Sequence, residues 1–156
     1  MQPQQVSLRD AAQEKIGFRL VRDEDGYPPA DWEHLWARAV GDDQYVIDNT
    51  PFFVRGISFG DVVAAERESG QLVFRQLVQP SPHSTLRVIL FRKDLVVRLR
   101  QRMRELGCAT ELSHVPGLIA VDVPPGVSLE SVRQVLDVGE KAGDWEYEEA
   151  AVRAPP

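Results

Sequence analysis

Leu86-Arg87-Val88-Ile89-Leu90-Phe91-Arg92-Lys93-Asp94-Leu95 is the stretch whose reading decides the fold. Its first six residues place apolar side chains on both faces of an extended chain, as a strand covered on both sides requires. The period then changes. Val96, Leu99, Met103 and Leu106 recur at helical spacing, Asp94 stands where an N-cap is wanted, and Gly107 can close the helix in the left-handed conformation. Ala109–Val115 reads as a second strand, Pro116-Gly117 as a type II turn and Leu118–Val123 as its partner strand. Pro124-Pro125-Gly126 leads to Ser128, the N-cap of a second helix, with Val127 and Val132 spaced as a hydrophobic staple. That helix carries Val132, Val135 and Leu136 and ends near Gly143, after which Trp145-Glu146-Tyr147-Glu148 alternates as a last strand. The order β-α-β-β-α-β predicts a ferredoxin-like half over residues 83–149.

Upstream, Pro80-Ser81-Pro82 interrupts every periodic pattern and marks a domain junction. Before it, Ile16–Arg22 alternates apolar and polar residues as a first strand, and Trp32–Val40, Gln44–Asp48, Asp61–Glu68 and Gln71–Val78 read as four more short strands between turn residues. Gly41-Asp42-Asp43 and Ser69-Gly70 supply tight turns, and Asp23–Pro29 a longer loop. These predict an SH3-like five-stranded β-barrel or strongly bent sheet over residues 16–80, so the fold class is α+β. Residues 1–15 read as a flexible tail, or as one replaced by a short helix at Leu8–Glu14, and 150–156 as a disordered tail.

Composition narrows the function classes. Hydrophobic residues at 43% and charged residues at 27% of 156 describe a globular chain. A formal charge of −6 argues against nucleic acid as the partner, because phosphate contacts need basic surface. No apolar run reaches the roughly 18 residues of a membrane span, and the first residues lack a secretory pattern, so the expected location is the cytoplasm. Cys108 is the single cysteine, which excludes an internal disulfide and an all-cysteine metal site. Gly56 and Gly60 lack the spacing and following helix of a phosphate loop, and no cofactor is expected.

The three histidines, His34, His83 and His114, invite a metal reading. In the expected sheet, however, the strands after His83 and before His114 run parallel, separating the two by ~17–20 Å, so no metal site is expected. His83 with Ser84 and Thr85 lies where the ends of two other strands, near Asp122 and Glu148, and Cys108 should converge. That edge could be an acid–base or nucleophilic site with His83, Ser84 and Asp122 as its catalytic candidates. The plain alternative is a strand cap whose hydroxyls satisfy turn amides.

The segment Asn49–Val63 holds Phe52, Phe53 and Phe59 between two strands. Its phenylalanines read first as plugs closing the barrel or packing against the second half. The other reading is a groove for a peptide or small apolar ligand, with Phe52 and Phe53 as its wall and Asn49, Arg55 and Asp61 as polar anchors. Arg98, Arg100, Arg102 and Arg104 make the first helix basic, either as a solvated face or as a surface for an anionic partner. The acidic segment from Asp137 to Glu149 offers compensation within the chain or across a homodimer.

Asn49-Thr50-Pro51-Phe52-Phe53 with Gly56 and Gly60-Asp61-Val62-Val63, then His83-Ser84-Thr85-Leu86-Arg87-Val88, then Trp145-Glu146-Tyr147-Glu148-Glu149, resemble the bacterial domain-of-unknown-function family 4265. The resemblance runs from about Ile16 to Glu149. It implies a bacterial cytoplasmic protein and assigns neither an activity nor a catalytic residue. With no catalytic set, metal set or nucleotide motif in the sequence, the expected function is non-enzymatic binding of a protein or peptide, as a regulatory adaptor or immunity-type binder. The alternative is a small enzyme or small-ligand sensor with its site at the His83 edge.

Overall fold

The computed structural model describes residues 12–153. It has nine strands and two α-helices among them and divides into two compact units. The first unit runs to Asn49 and resumes over Gly60–Pro80; the second takes Thr50–Phe59 and the chain from Ser81 onward.

The first unit is a closed barrel of β1 (Gln13–Arg19), β2 (Trp32–Gly41), β3 (Gln44–Ile47), β4 (Val62–Glu68) and β5 (Gln71–Gln79), in that order. Neighbours pair antiparallel, and a short parallel contact, Ile16 opposite Leu72, joins β5 back to β1. The alternation of β2 sets the inside: Leu35 and Ala37 are buried, while His34 and Trp36 face outward. Ile16, Phe18, Ile47, Val63 and Leu72 complete the filling. Ser69 and Gly70 both hold positive φ (51° and 83°) between the paired Glu68 and Gln71, the two-residue turn whose twist suits a hairpin.

The second unit is a four-stranded antiparallel sheet in the order β7 (Ala109–Leu112), β8 (Leu118–Val123), β6 (Ser84–Leu90), β9 (Trp145–Ala151). Its helices are α1 (Val96–Leu106) and α2 (Leu129–Lys141). Leu86, Val88 and Leu90 of β6 and Ile119, Val121 and Val123 of β8 form one core with Leu99, Met103, Val132, Leu136 and Trp145. Gly107 ends α1 at φ 98°, its amide reaching the Arg104 carbonyl at 3.0 Å. Ser128 caps α2 by accepting from the Ser131 amide at 3.2 Å. Gly117, at φ 80°, completes a turn in which the Leu118 amide donates to the Val115 carbonyl.

Several bounds differ from expectation. Asp94 does not cap α1: a 3₁₀ turn over Lys93–Leu95 precedes the helix, Leu95 takes the cap position, and the Asp94 carboxylate accepts from the Arg92 guanidinium at 2.7 Å. The last strand extends through Ala151, because the small Ala150 and Ala151 bury beside β6, with Ala151 opposite Thr85. Ala150 and Ala151 are therefore not part of a disordered tail, and residues 154–156 lie outside the described residues. β1 begins at Gln13, so the expected Leu8–Glu14 helix loses Gln13 and Glu14 to a strand, and its remaining residues lie outside the described ones. β7 stops at Leu112, where the Ser113 hydroxyl turns back to accept from the Val115 amide at 3.0 Å.

The largest difference concerns the aromatic segment. Thr50–Phe59 belongs to the second unit, on the sheet face opposite the helices. That face presents Thr85, Arg87, Asp122 and Glu148, while Leu86, Val88 and Val121 turn toward α1 and α2. The Ser58 and Thr85 hydroxyls meet at 2.8 Å, and the Gly56 amide donates to the Ala150 carbonyl at 2.9 Å. Arg87, 2% exposed, donates to the Val54 carbonyl, and Phe53 is buried.

Candidate functional site

The sheet register brings His83 to Asp122. Thr85 on β6 stands opposite Asp122 on β8, so the residue just ahead of β6 reaches the end of β8. His83 Nδ1 lies 2.9 and 3.0 Å from the two Asp122 carboxylate oxygens. With Asp122 ionised, Nδ1 carries the proton and donates, which leaves Nε2 as the nitrogen open to chemistry. Phe59 packs its ring 5.2 Å from the imidazole. Ser81 fixes both residues: its hydroxyl donates to the Phe59 carbonyl at 2.6 Å and accepts from the His83 amide at 3.2 Å.

Burial raises the Asp122 carboxyl above its ordinary range, and the His83 hydrogen bond and charge pull it partly back. Cys108 is 3% exposed, and burial first, then the Asp122 charge, push its thiol up to about 11. The thiol is therefore protonated near neutrality and a poor nucleophile. Ser84 accepts from the Arg153 amide at 2.8 Å, which ties down the chain after β9. Thr85 is paired with Ser58. The edge thus holds a histidine–carboxylate pair whose neighbouring hydroxyls are already engaged in the fold. Glu148, expected at the same edge, stands opposite Arg87 because β9 continues three residues beyond it, and it binds Arg55 at 2.7 Å.

The residues expected to line a groove fall in two groups. Asn49 belongs to the first unit, where its side-chain oxygen accepts from the Trp36 amide at 2.9 Å. Asp61, fully buried in the same unit, accepts through its carbonyl from the Ile47 amide at 2.8 Å. Phe52 is half-buried, Phe53 is buried and Arg55 is exposed, all in the second unit. His34 faces outward on β2 with its ring beside Trp32. Among the described residues, no group of three or more His, Cys, Asp or Glu side chains could hold a metal ion. No helix among them is long and apolar enough to cross a membrane.

A concavity that the sequence reading passed over lies between α1 and α2. It encloses about 480 Å³ and is lined by Leu99, Val135, Val138 and Trp145, with Arg98 and Arg102 on the α1 side. Trp145 reaches it because Gly139 leaves room. A Cβ at residue 139 would sit 1.9 Å from Trp145 Cζ2, and the indole N–H donates to the Leu136 carbonyl at 2.9 Å.

The family model for a domain of unknown function, DUF4265, matches residues 33–147. The chain belongs to the DUF4265 family. A crystal structure titled as that of a hypothetical protein from Neisseria gonorrhoeae superposes with a TM-score of 0.75 at 23% identity, covering 92% of this chain and 97% of that one. At that identity the likeness speaks for the fold alone. No curated protein matches the chain.

The DUF4265 match takes in the His83–Asp122 pair and the α1–α2 groove alike. Two residues of this DUF4265 chain went unnoticed in the sequence. Arg87 looked like one polar residue in an apolar strand, and only the register shows its guanidinium beneath residues 50–59. Gly139 was the available clue to the groove. It falls in phase with the buried Val132 and Leu136, where a helix otherwise places a large side chain.

Proposed function

We propose that the chain is a protein- or peptide-binding module of a bacterial cytoplasm, an adaptor or immunity-type binder that works without a cofactor. The supporting fold reading is an SH3-like barrel joined to a ferredoxin-like half. The closed order of five short strands supports the first name. The strand order β7-β8-β6-β9, with helices after β6 and β8, supports the second.

The observation that carries the binding reading is the α1–α2 groove. Its walls are mainly apolar, and Val138 within it is 71% exposed. A concave apolar surface flanked by a few charged groups is what helix and peptide recognition uses. Panning of displayed peptide libraries against the purified chain tests this. Peptides that bind the wild type and lose binding to Val138→Glu support the reading. Libraries that yield no binder dependent on the groove would sink it.

A second reading, a small enzyme or ligand sensor, is favoured by the His83–Asp122 pair. It predicts that some member of a metabolite panel raises the melting temperature of the wild type and not of His83→Gln. A panel without such a compound, together with groove-dependent peptides, leaves the binding module standing.

A further inference from the structure

We infer that the α1–α2 groove receives an acidic amphipathic helix of a partner protein, with its apolar stripe on Trp145 and Val138 and its carboxylates on Arg98 and Arg102. This inference rests on the binding-module reading and names the partner's chemistry.

Charge carries the inference. The chain is −6 in all, yet α1 bears Arg98, Arg100, Arg102 and Arg104 against Glu105 alone. Asp94, just ahead of the helix, does not neutralise them, because Arg92 holds its carboxylate at 2.7 Å. Arg98 makes no ion pair among the described residues, and Arg102 makes only an exposed contact to Glu105 at 3.4 Å. A solvated pair of this kind contributes little, so both guanidiniums can be recruited, and their planar fork suits a carboxylate.

Shape points the same way. The residues lining the groove on the α1 side run from Leu95 to Arg102, a wall of roughly 10 Å at ~1.5 Å per residue, matching about two turns of an incoming helix. Arg98 and Arg102, four positions apart, present one face of α1 to carboxylates spaced a turn apart on the partner. Asp144 also lines the groove, so a partner acidic along its whole length would meet repulsion there. The same balance disfavours a nucleic-acid strand. Two arginines, one carboxylate and an apolar floor make a poor track for a continuous phosphate backbone, and the net charge repels it.

The test uses three displayed libraries of helix-forming peptides about 15 residues long, alike in randomised apolar positions at i, i+3, i+4 and i+7. Their flanking positions carry Glu, Gln or Lys. Binders are expected from the Glu library, with affinity that falls as salt rises and drops about tenfold or more in Arg98→Glu/Arg102→Glu. That variant should instead select from the Lys library. Both substituted positions lie on the surface, and an unchanged melting temperature confirms folding. Equal recovery from the Gln library would overturn the acidic class while leaving a peptide-binding module. Displacement of the peptides by a single-stranded DNA oligomer at equal concentration would replace the proposal with a polyanion surface. Concentration-dependent self-association abolished by Val138→Glu would assign the groove to a second copy. No binder from any library would remove this inference and the binding-module reading together.

Discussion

Arg87 is the clearest case of a single side chain setting local architecture. It is 2% exposed, it donates to the Val54 carbonyl, and it lies 3.4 Å from a Glu148 carboxylate oxygen. Replacing it by Leu takes the buried donor from the Val54 carbonyl, while Glu148 keeps Arg55, so Arg87→Leu should lower the unfolding free energy by about 1–3 kcal/mol in urea titration. The exposed Arg55, which binds the same Glu148, should matter far less: Arg55→Ala is expected to cost under about 1 kcal/mol. Cys108 supplies a pH-dependent prediction. Its thiol titrates near 9.0 when unfolded and near 11 when folded, so the native state keeps a proton that the unfolded chain gives up. Its stabilising contribution is complete below that unfolded value, falls as pH rises, and is lost above the folded one. The wild type should therefore lose on the order of 2 kcal/mol relative to Cys108→Ala across that window. Parallel denaturant curves at several pH values read the difference directly. Equal pH slopes in the two proteins would show that the thiol is not buried as described.

At the scale of elements, what depends on neighbours in sequence was legible and what depends on distant partners was not. The Gly107 stop, the Ser128 cap and the Pro116-Gly117 turn are local rules, and each is found in place. Asp94 obeyed the same local rule on paper, yet Arg92 two residues earlier takes its carboxylate and a 3₁₀ turn intervenes. Residues 50–59 sit in sequence between two barrel strands, so contiguity left both closure of the barrel and packing against the second half open. Their partners, Thr85, Arg87 and Ala150, are 27 to 94 residues away, beyond the reach of any periodicity. Gly139 connects an element to the groove. A methyl there meets the Trp145 ring at 1.9 Å, so α2 must shift or the indole must leave its bond to Leu136. Gly139→Ala should destabilise by about 1–3 kcal/mol despite alanine's better helix propensity. The near-ultraviolet tryptophan signal should change with it. A stabilised variant would mean that the ring does not sit over residue 139. Ser128→Ala, by contrast, removes a single cap bond and should cost about 1 kcal/mol in thermal melts.

For the whole molecule, charge decides where to look for function. Composition suggested an acidic protein wary of polyanions, and that total hid a basic helix beside an apolar concavity. The sequence exposed the arginines of α1 and the pairing of Arg98 with Arg102, but α2 and Trp145 had to be placed before they became the side of a groove. The His83 edge was legible in part. Asp122 arrived as the sheet order required, whereas Glu148 did not, because β9 runs on to Ala151. The most direct test of the binding account is an amide and indole NMR titration of the full chain with a selected acidic peptide. The account predicts shifts concentrated at Arg98, Arg102, Val138 and the Trp145 indole N–H, with His83 and Asp122 unmoved. Shifts centred on His83 and Asp122, with the α1–α2 groove silent, would contradict it.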